Sequence, residues 1–256
     1  MAATIRRNFT FKVPVGRLFQ EQFDANVAKI RNAVVPILSP VKGKPVTIGS
    51  AVLIDLDGSS FLVTALHVLE DSQGAPLLFF GADGNLASFG DGIFFTYREF
   101  DLAALPLIDI PKAAFARHRF LTINEIDPTQ NSSKKYATIV GYPSTKTKIL
   151  KGSYVDTEMY SMADFIREEK DHRLFVKFDK RRVTFANPRR WVTAPDPYGM
   201  SGGAIFAVPV LSIAPTFASE AKLVGIATHW RFRRRLFEGT AAERVLAFLK
   251  HGADIT

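Results

Sequence analysis

Three short stretches carry side chains that could act together on an acyl group. The first, PYGMSGGAIF from Pro197 to Phe206, packs Gly199, Gly202 and Gly203 around the single hydroxyl of Ser201, just ahead of an apolar run. Glycine reaches backbone conformations that other residues resist. The stretch is either a tight turn into a strand or a nucleophile whose neighbouring N–H groups face a reacting oxygen. A serine hydroxyl is a poor nucleophile at neutral pH; it needs a base, and the base needs a group to orient it. His67, in FLVTALHVLED, follows the small-residue end of a strand-like run. It reads as a base or as a histidine satisfied by a backbone carbonyl, and His118, His172, His229 and His251 are the other candidates. Asp101, in YREFDLAALPL, lies between Phe100 and an apolar run. A buried carboxylate needs a partner. A neighbouring imidazole would supply one, although an aspartate capping a turn looks the same.

The elements that must hold these residues read mostly as short strands. Apolar runs at Ala33–Leu38, Val46–Leu56, Ser60–Thr64, Leu77–Phe80, Gly92–Thr96 and Leu102–Leu107 form a first set, with Asp57-Gly58 as a hairpin turn. A second set comprises Ala137–Val140, Leu174–Phe178, Arg182–Phe185, Trp191–Thr193, Gly203–Val208 and Leu223–Thr228. Many short strands with turn signals predict barrels or a sandwich. Leu18, Phe19, Phe23, Val27 and Ile30 recur at helical spacing ahead of the first set. Thr240-Ala241-Ala242-Glu243 reads as a capping box opening a last helix with Val245, Leu246 and Leu249 on its apolar side and Gly252 as its stop.

Taken in order, TALH (64–67), DLAAL (101–105) and GMSGG (199–203) resemble the base, acid and nucleophile motifs of the trypsin/chymotrypsin-like serine peptidases. The order His, Asp, Ser separates that family from subtilisin and the α/β-hydrolases. IGSAVLI (48–54), VGYPS (140–144) and LVGIATHW (223–230) are similar to further strands of bacterial members, so the likeness runs in pattern from Ala33 to Arg235. It implies Ser201 as nucleophile, His67 as base, Asp101 as its orienting acid, the N–H groups of Gly199 and Ser201 as an oxyanion hole, and Thr228 as a hydrogen-bonding support for Asp101. The implied fold is all-β: two packed antiparallel six-stranded barrels with an N-terminal and a C-terminal helix. The expected organisation is an N-terminal extension and helix over 1–32, a first barrel over 33–123, a linker over 124–135, a second barrel over 136–235 and a C-terminal helix over 236–256.

The departures from the family carry information too. Met200 stands where digestive members have an aspartate that receives a new N-terminus, and no IVGG-like start precedes the first barrel, so trypsin-style activation is not expected. Val68 replaces a disulfide cysteine. Pro195 occupies the position of trypsin's acidic specificity residue, and His229 and Trp230 stand where many members have an aromatic and a glycine. The resemblance therefore implies a primary pocket narrowed by Trp230, without Lys/Arg preference. Arg231 to Arg235 nearby favour an acidic or small residue there.

Composition bounds the rest. The 256 residues contain no cysteine, which excludes a thiolate nucleophile and disulfides and fits a reducing, cytoplasmic setting; the motif variants of the resemblance imply a bacterial one. The start, MAATIRRNFTFKVPVGRLFQ, has no apolar signal core. The uncharged run Pro197 to Ser219 is broken by glycine and proline, so no membrane span is expected. HEXXH, GxGxxG and P-loop patterns are absent and the histidines are scattered, so neither a metal nor another cofactor is expected. The net charge is +8, with clusters at Lys180-Arg181-Arg182, Arg189-Arg190 and Arg231 to Arg235. Such clusters serve nucleic acid or acidic partners, or are simply solvated faces. The expected function is a serine endopeptidase acting on a peptide or protein, regulated by narrow specificity or an activating partner. The alternative is a latent protease-like binding module whose basic surface takes nucleic acid or an acidic partner.

Overall fold

The computed structural model describes residues 28, 30–90, 92–108, 110, 112–129, 135–149, 155–178, 180, 183–184, 191–192, 194–209 and 221–253. Ala28, Ile30 and Arg31 are helical and Asn32 is in a turn; the remainder of the segment expected over 1–32 lies outside the described residues.

The first half contains β1 (Val34–Val41), β2 (Lys44–Leu56), β3 (Ser59–Ala65), a short helix α1 (Leu66–Asp71), β4 (Leu78–Phe80), β5 (Leu86–Ser88), β6 (Phe95–Tyr97), β7 (Leu102–Pro106) and β8 (Leu121–Thr122). Asp57-Gly58 turns β2 into β3, with Leu56 facing Ser59 and both turn residues at positive φ, as a two-residue hairpin of this twist requires. The strands pair in the order β5-β4-β1-β2-β3-β7-β6, and β8 adds to β2 in parallel. Among the described residues this sheet is open, where a closed, wholly antiparallel six-stranded barrel was expected. The reason is local. β4, β5 and β6 have three residues each, β1 meets β4 at one pair, Leu38–Leu78, and the connecting GADGNLASFGDG is rich in residues that resist strand formation.

The second half contains β9 (Lys135–Gly141), β10 (Thr147–Ile149), β11 (Val155–Thr157), β12 (Tyr160–Lys170), β13 (Arg173–Lys177), β14 (Val183–Thr184), β15 (Trp191–Val192), β16 (Ala204–Pro209), β17 (Lys222–Arg231) and β18 (Leu236–Ala241), followed by helix α2 (Ala242–Ala253). Strands β12-β13-β18-β17-β16-β9 close into a six-stranded barrel. Residues 236–241, expected to belong to the last helix, are instead the strand that pairs with both β13 and β17. The helix begins only at Ala242, because Phe237 turns into the barrel core while Thr240 and Ala241 still pair with neighbouring strands.

Apolar side chains gather in three clusters. One fills the open sheet around Ile37, Leu53, Leu62, Phe79 and Phe115. Another fills the barrel around Ile139, Val176, Ile205 and Phe237. The third is a seam to which both halves contribute, from Val34, Val52 and Val63 on one side to Val140, Ile226 and Phe206 on the other, closed off by Val245 and Leu249 of α2. No helix among the described residues is long and apolar enough to cross a membrane.

Candidate active site

His67 and Asp101 meet because their strands pair. β3 and β7 run antiparallel with Ala65 opposite Leu102. His67 lies two residues past Ala65 and Asp101 one before Leu102, so both fall at the same end of the sheet. Asp101 closes a single 3-10 turn (Arg98–Phe100) in the left-handed conformation, φ +52°, which aspartate tolerates better than most residues. Its backbone carbonyl accepts the Leu66 N–H at 3.1 Å. Its carboxylate accepts twice from His67: the backbone N–H reaches Oδ1 at 3.0 Å and Nδ1–H reaches Oδ2 at 2.7 Å. Oδ1 thus takes up a free N–H at the start of α1 while Oδ2 orients the ring.

The electrostatics follow. Burial pulls the His67 pKa down, but the hydrogen bond and charge of Asp101 more than compensate, leaving it above the ordinary imidazole value. Burial raises the Asp101 pKa, and the His67 contacts outweigh that, leaving it below the usual carboxylate value. The pair is poised with a charged carboxylate beside an imidazole whose pKa that carboxylate holds up.

Ser201 sits on the turn before β16. Gly202 N–H donates to the Ala227 carbonyl at 2.7 Å, and the Ser201 carbonyl accepts the Ser50 N–H at 2.7 Å. A Cβ on Gly202, whose φ is +82°, would stand 1.9 Å from the Ser50 carbonyl oxygen and 2.2 Å from Thr64 Oγ1, so only glycine fits. Gly199 has φ +92°, and a Cβ there would stand 2.7 Å from the Tyr142 carbonyl oxygen and 2.8 Å from the Ser144 nitrogen. The Tyr198 carbonyl accepts the Ser144 N–H at 2.8 Å. In a trans peptide the C=O and N–H point opposite ways, so this bond turns the Gly199 N–H away from Ser144. Among the described residues, the N–H groups of Gly199 and Ser201 have no acceptor within the chain.

The Ser201 hydroxyl donates to the Thr228 carbonyl at 2.8 Å, and no hydrogen bond joins it to His67 among the described residues. Thr228 does not support Asp101 as expected. Its own hydroxyl is buried and turned to the Glu238 carbonyl at 3.3 Å. The cause is a bulge: Ala227 pairs with Gly239 and His229 with Glu238, so Thr228 is an extra residue on β17. Bulges re-aim side chains. Beyond this one, His229 lies against His67, ring centroids 5.0 Å apart, with Nδ1 3.5 Å from Asp101 Oδ2. Burial holds the His229 pKa below its ordinary value. The histidines that look scattered in sequence thus include a pair that folding brings onto one carboxylate.

Pro195 is half-buried. Trp230 packs edge-on against Phe178, with Lys180 Nζ over its ring at 5.9 Å. A cavity of about 700 Å³ is lined by Phe175, Trp230, Phe232, Glu238 and the arginines 231, 233 and 234; it does not include His67, Asp101 or Ser201. Arg231 and Arg173 each reach the buried Glu238 carboxylate at 2.6 Å.

Ser50 is the residue whose role sequence reasoning missed. It was read only as part of a strand, IGSAVLI. In the structure its hydroxyl donates to the Gly199 carbonyl at 2.9 Å and accepts the Tyr142 N–H at 2.8 Å, while its carbonyl accepts the Thr64 hydroxyl at 2.7 Å. With its N–H on the Ser201 carbonyl, it ties the first sheet to the Ser201 turn at two points and to Tyr142 at a third.

No family model and no curated protein sequence matches the chain. Solved structures do. A serine endoprotease from Yersinia pestis superposes with a TM-score of 0.57 at 15% identity, over 94% of this chain and 67% of the other. The MamO protease domain of Magnetospirillum magneticum, in its apo form, gives 0.50 at 12%, over 85% and 95%. The Rv3671c protease from M. tuberculosis, in an inactive form, gives 0.51 at 15%, over 90% and 94%. The chain has the trypsin/chymotrypsin-like serine peptidase fold.

Proposed function

We propose that the chain is a serine endopeptidase that cleaves peptide bonds through His67, Asp101 and Ser201. The observation that carries this reading is the 2.7 Å His67–Asp101 hydrogen bond at the end of two paired strands, in a chain whose Ser201 turn leaves two backbone N–H groups unengaged among the described residues. Rotation about the Ser201 Cα–Cβ bond frees its hydroxyl from the Thr228 carbonyl and turns it towards His67 Nε2. The Oγ then bonds to the scissile carbonyl carbon as its proton passes to Nε2. Collapse of the tetrahedral intermediate breaks the C–N bond and returns that proton to the leaving amine. Water, deprotonated by the same nitrogen, releases the acyl group. The N–H groups of Gly199 and Ser201 hold the oxyanion, each such donor contributing about 3–4 kcal/mol to the transition state.

In this reading 33–123 and 135–241 are the two halves, and 124–134 joins them. Pro195, His229 and Trp230 border the primary specificity pocket, which selects an acidic or small residue. The peptidase acts in a bacterial cytoplasm, where narrow specificity or an activating partner restrains it.

A second reading has its own observation. The Ser201 hydroxyl is engaged by Thr228 rather than by His67, which suits a latent site on a module kept for binding nucleic acid or an acidic partner. A fluorophosphonate probe separates the two. Stoichiometric labelling of the wild type, lost in Ser201→Ala and His67→Ala, is expected. A well-folded protein that never labels, but binds nucleic acid with steep salt dependence, would overturn the peptidase reading.

A further inference from the structure

We propose that His67, Asp101 and His229 form a binding site for a divalent transition-metal ion, Zn2+ in particular, and that the bound ion switches the site off. The three offer one donor atom each, two imidazole nitrogens and a carboxylate oxygen, all within 4.8 Å of one another. Two imidazoles and a carboxylate are a donor set that zinc takes, with a fourth position left for water. A tetrahedral ion with bonds of about 2.0–2.1 Å holds its donors roughly 3.3 Å apart. The spacings at Asp101 Oδ2 bracket that value: 2.7 Å to His67 Nδ1 and 3.5 Å to His229 Nδ1.

An independent observation points to a ligand. His229 Nδ1 is buried and, among the described residues, has no hydrogen-bond partner. At 3.5 Å from Asp101 Oδ2 it falls beyond good hydrogen-bond length. Buried polar atoms are rarely left so, and an ion between His229 and Asp101 would satisfy this one without moving the backbone. The rings reach the surface, the side chains of His67 and His229 being 27% and 42% exposed, although His229 Nδ1 itself faces inward.

The consequence for catalysis is a matter of lone pairs. A neutral imidazole has one acceptor nitrogen. When His67 Nδ1 binds an ion, the ring proton must sit on Nε2. That nitrogen then has no lone pair with which to take the Ser201 proton, and Asp101 no longer orients the ring. This consequence rests on the peptidase reading; the ion site itself does not.

The test uses the untagged full chain, stripped with EDTA and then desalted. Zn2+ uptake is followed by competition with a chromogenic chelator, and Co2+ by its visible absorption. One equivalent of Zn2+ and the intense Co2+ bands of a four-coordinate site are expected. His229→Gln and Asp101→Asn should each weaken Zn2+ at least tenfold, since losing even a group that only supports a ligand costs about 10–100-fold. His251→Gln should change nothing. If His229→Gln melts early, broadening of histidine ring resonances in the Co2+-loaded wild type identifies the ligands instead. Failure to take up Zn2+ below millimolar concentration overturns the site, as does uptake or broadening that does not involve His229. Fluorophosphonate labelling is then run with EDTA and with saturating Zn2+. Labelling in EDTA that Zn2+ abolishes supports the switch, and labelling that Zn2+ leaves intact overturns it. Zn2+ uptake through His229 without labelling in either condition sinks the peptidase reading and the switch with it, while the ion site stands.

Discussion

At the residue scale, the site turns on what Asp101 does for His67. Asparagine keeps the size of Asp101 and its tolerance of the left-handed backbone, so Asp101→Asn removes the charge and the second acceptor that fix the His67 tautomer. We expect the fluorophosphonate labelling rate to fall by about 10⁴ with the fold retained, measured as labelling kinetics beside a thermal melt. The pH dependence has a definite sign. Neutral His67 is the base, so labelling in EDTA should rise with pH, with a midpoint above the ordinary 6.5 because Asp101 holds the pKa up against burial. In Asp101→Asn burial is opposed only by the smaller charge contributions of Asp71 and Glu70, and the midpoint should move below that of the wild type. Stability responds in the opposite direction. A folded pKa raised above the unfolded one favours the native state below the unfolded pKa, and that contribution disappears as pH rises through the folded value. A midpoint unchanged by Asp101→Asn would mean that the carboxylate does not tune the base.

At the element scale, the site depends on how β2 grips the Ser201 turn. Ser50→Ala removes two buried hydrogen bonds and strands the Tyr142 N–H, a loss of about 1–3 kcal/mol for an unsatisfied buried group. Denaturant unfolding should register that loss, and labelling should slow because the Gly199 carbonyl loses its tether. A stability loss with unchanged labelling would leave Ser50 a purely structural residue. This grip also marks the limit of what the sequence discloses. His67, Asp101 and Ser201 were legible because each stands at the end of an apolar run; β2, β3 and β16 announce themselves by β-branched and aromatic residues, and β7 by its short apolar run alone. β12 did not, because its outward positions carry Arg167, Glu168 and Glu169 and it ends at Lys170, which reads as a polar loop. β18 did not, because Leu236–Ala241 includes Glu238 and Gly239; the buried Glu238 is tolerable only with Arg173 and Arg231 around it, a pairing fixed by the barrel. The Thr228 bulge, which aims His229 at Asp101, is a property of strand register that no local pattern encodes.

At the scale of the whole molecule, the question is whether the two halves can move apart, because the pair His67–Asp101 belongs to one and Ser201 to the other. The seam argues that they cannot. Val34, Val52 and Val63 pack with Val140, Phe206 and Ile226 in a single apolar cluster, and α2 seals it with Val245 and Leu249, both fully buried. Polar ties cross near the site as well: Thr240 Oγ1 donates to the Phe100 carbonyl at 2.6 Å and Arg173 to the Glu99 carbonyl at 2.7 Å, both at the turn that presents Asp101. A cavity opened in the seam should therefore weaken both halves at once. Leu249→Ala is expected to cost about 2–5 kcal/mol. Trp191 and Trp230 both lie in the second half, so tryptophan fluorescence reports on that half, while hydrogen exchange of the β1–β3 amides reports on the first. The two should lose the same free energy and unfold in one transition. Loss confined to the fluorescence transition would mean that the halves fold separately, and that assembly of the site is governed by their docking rather than by the fold of either.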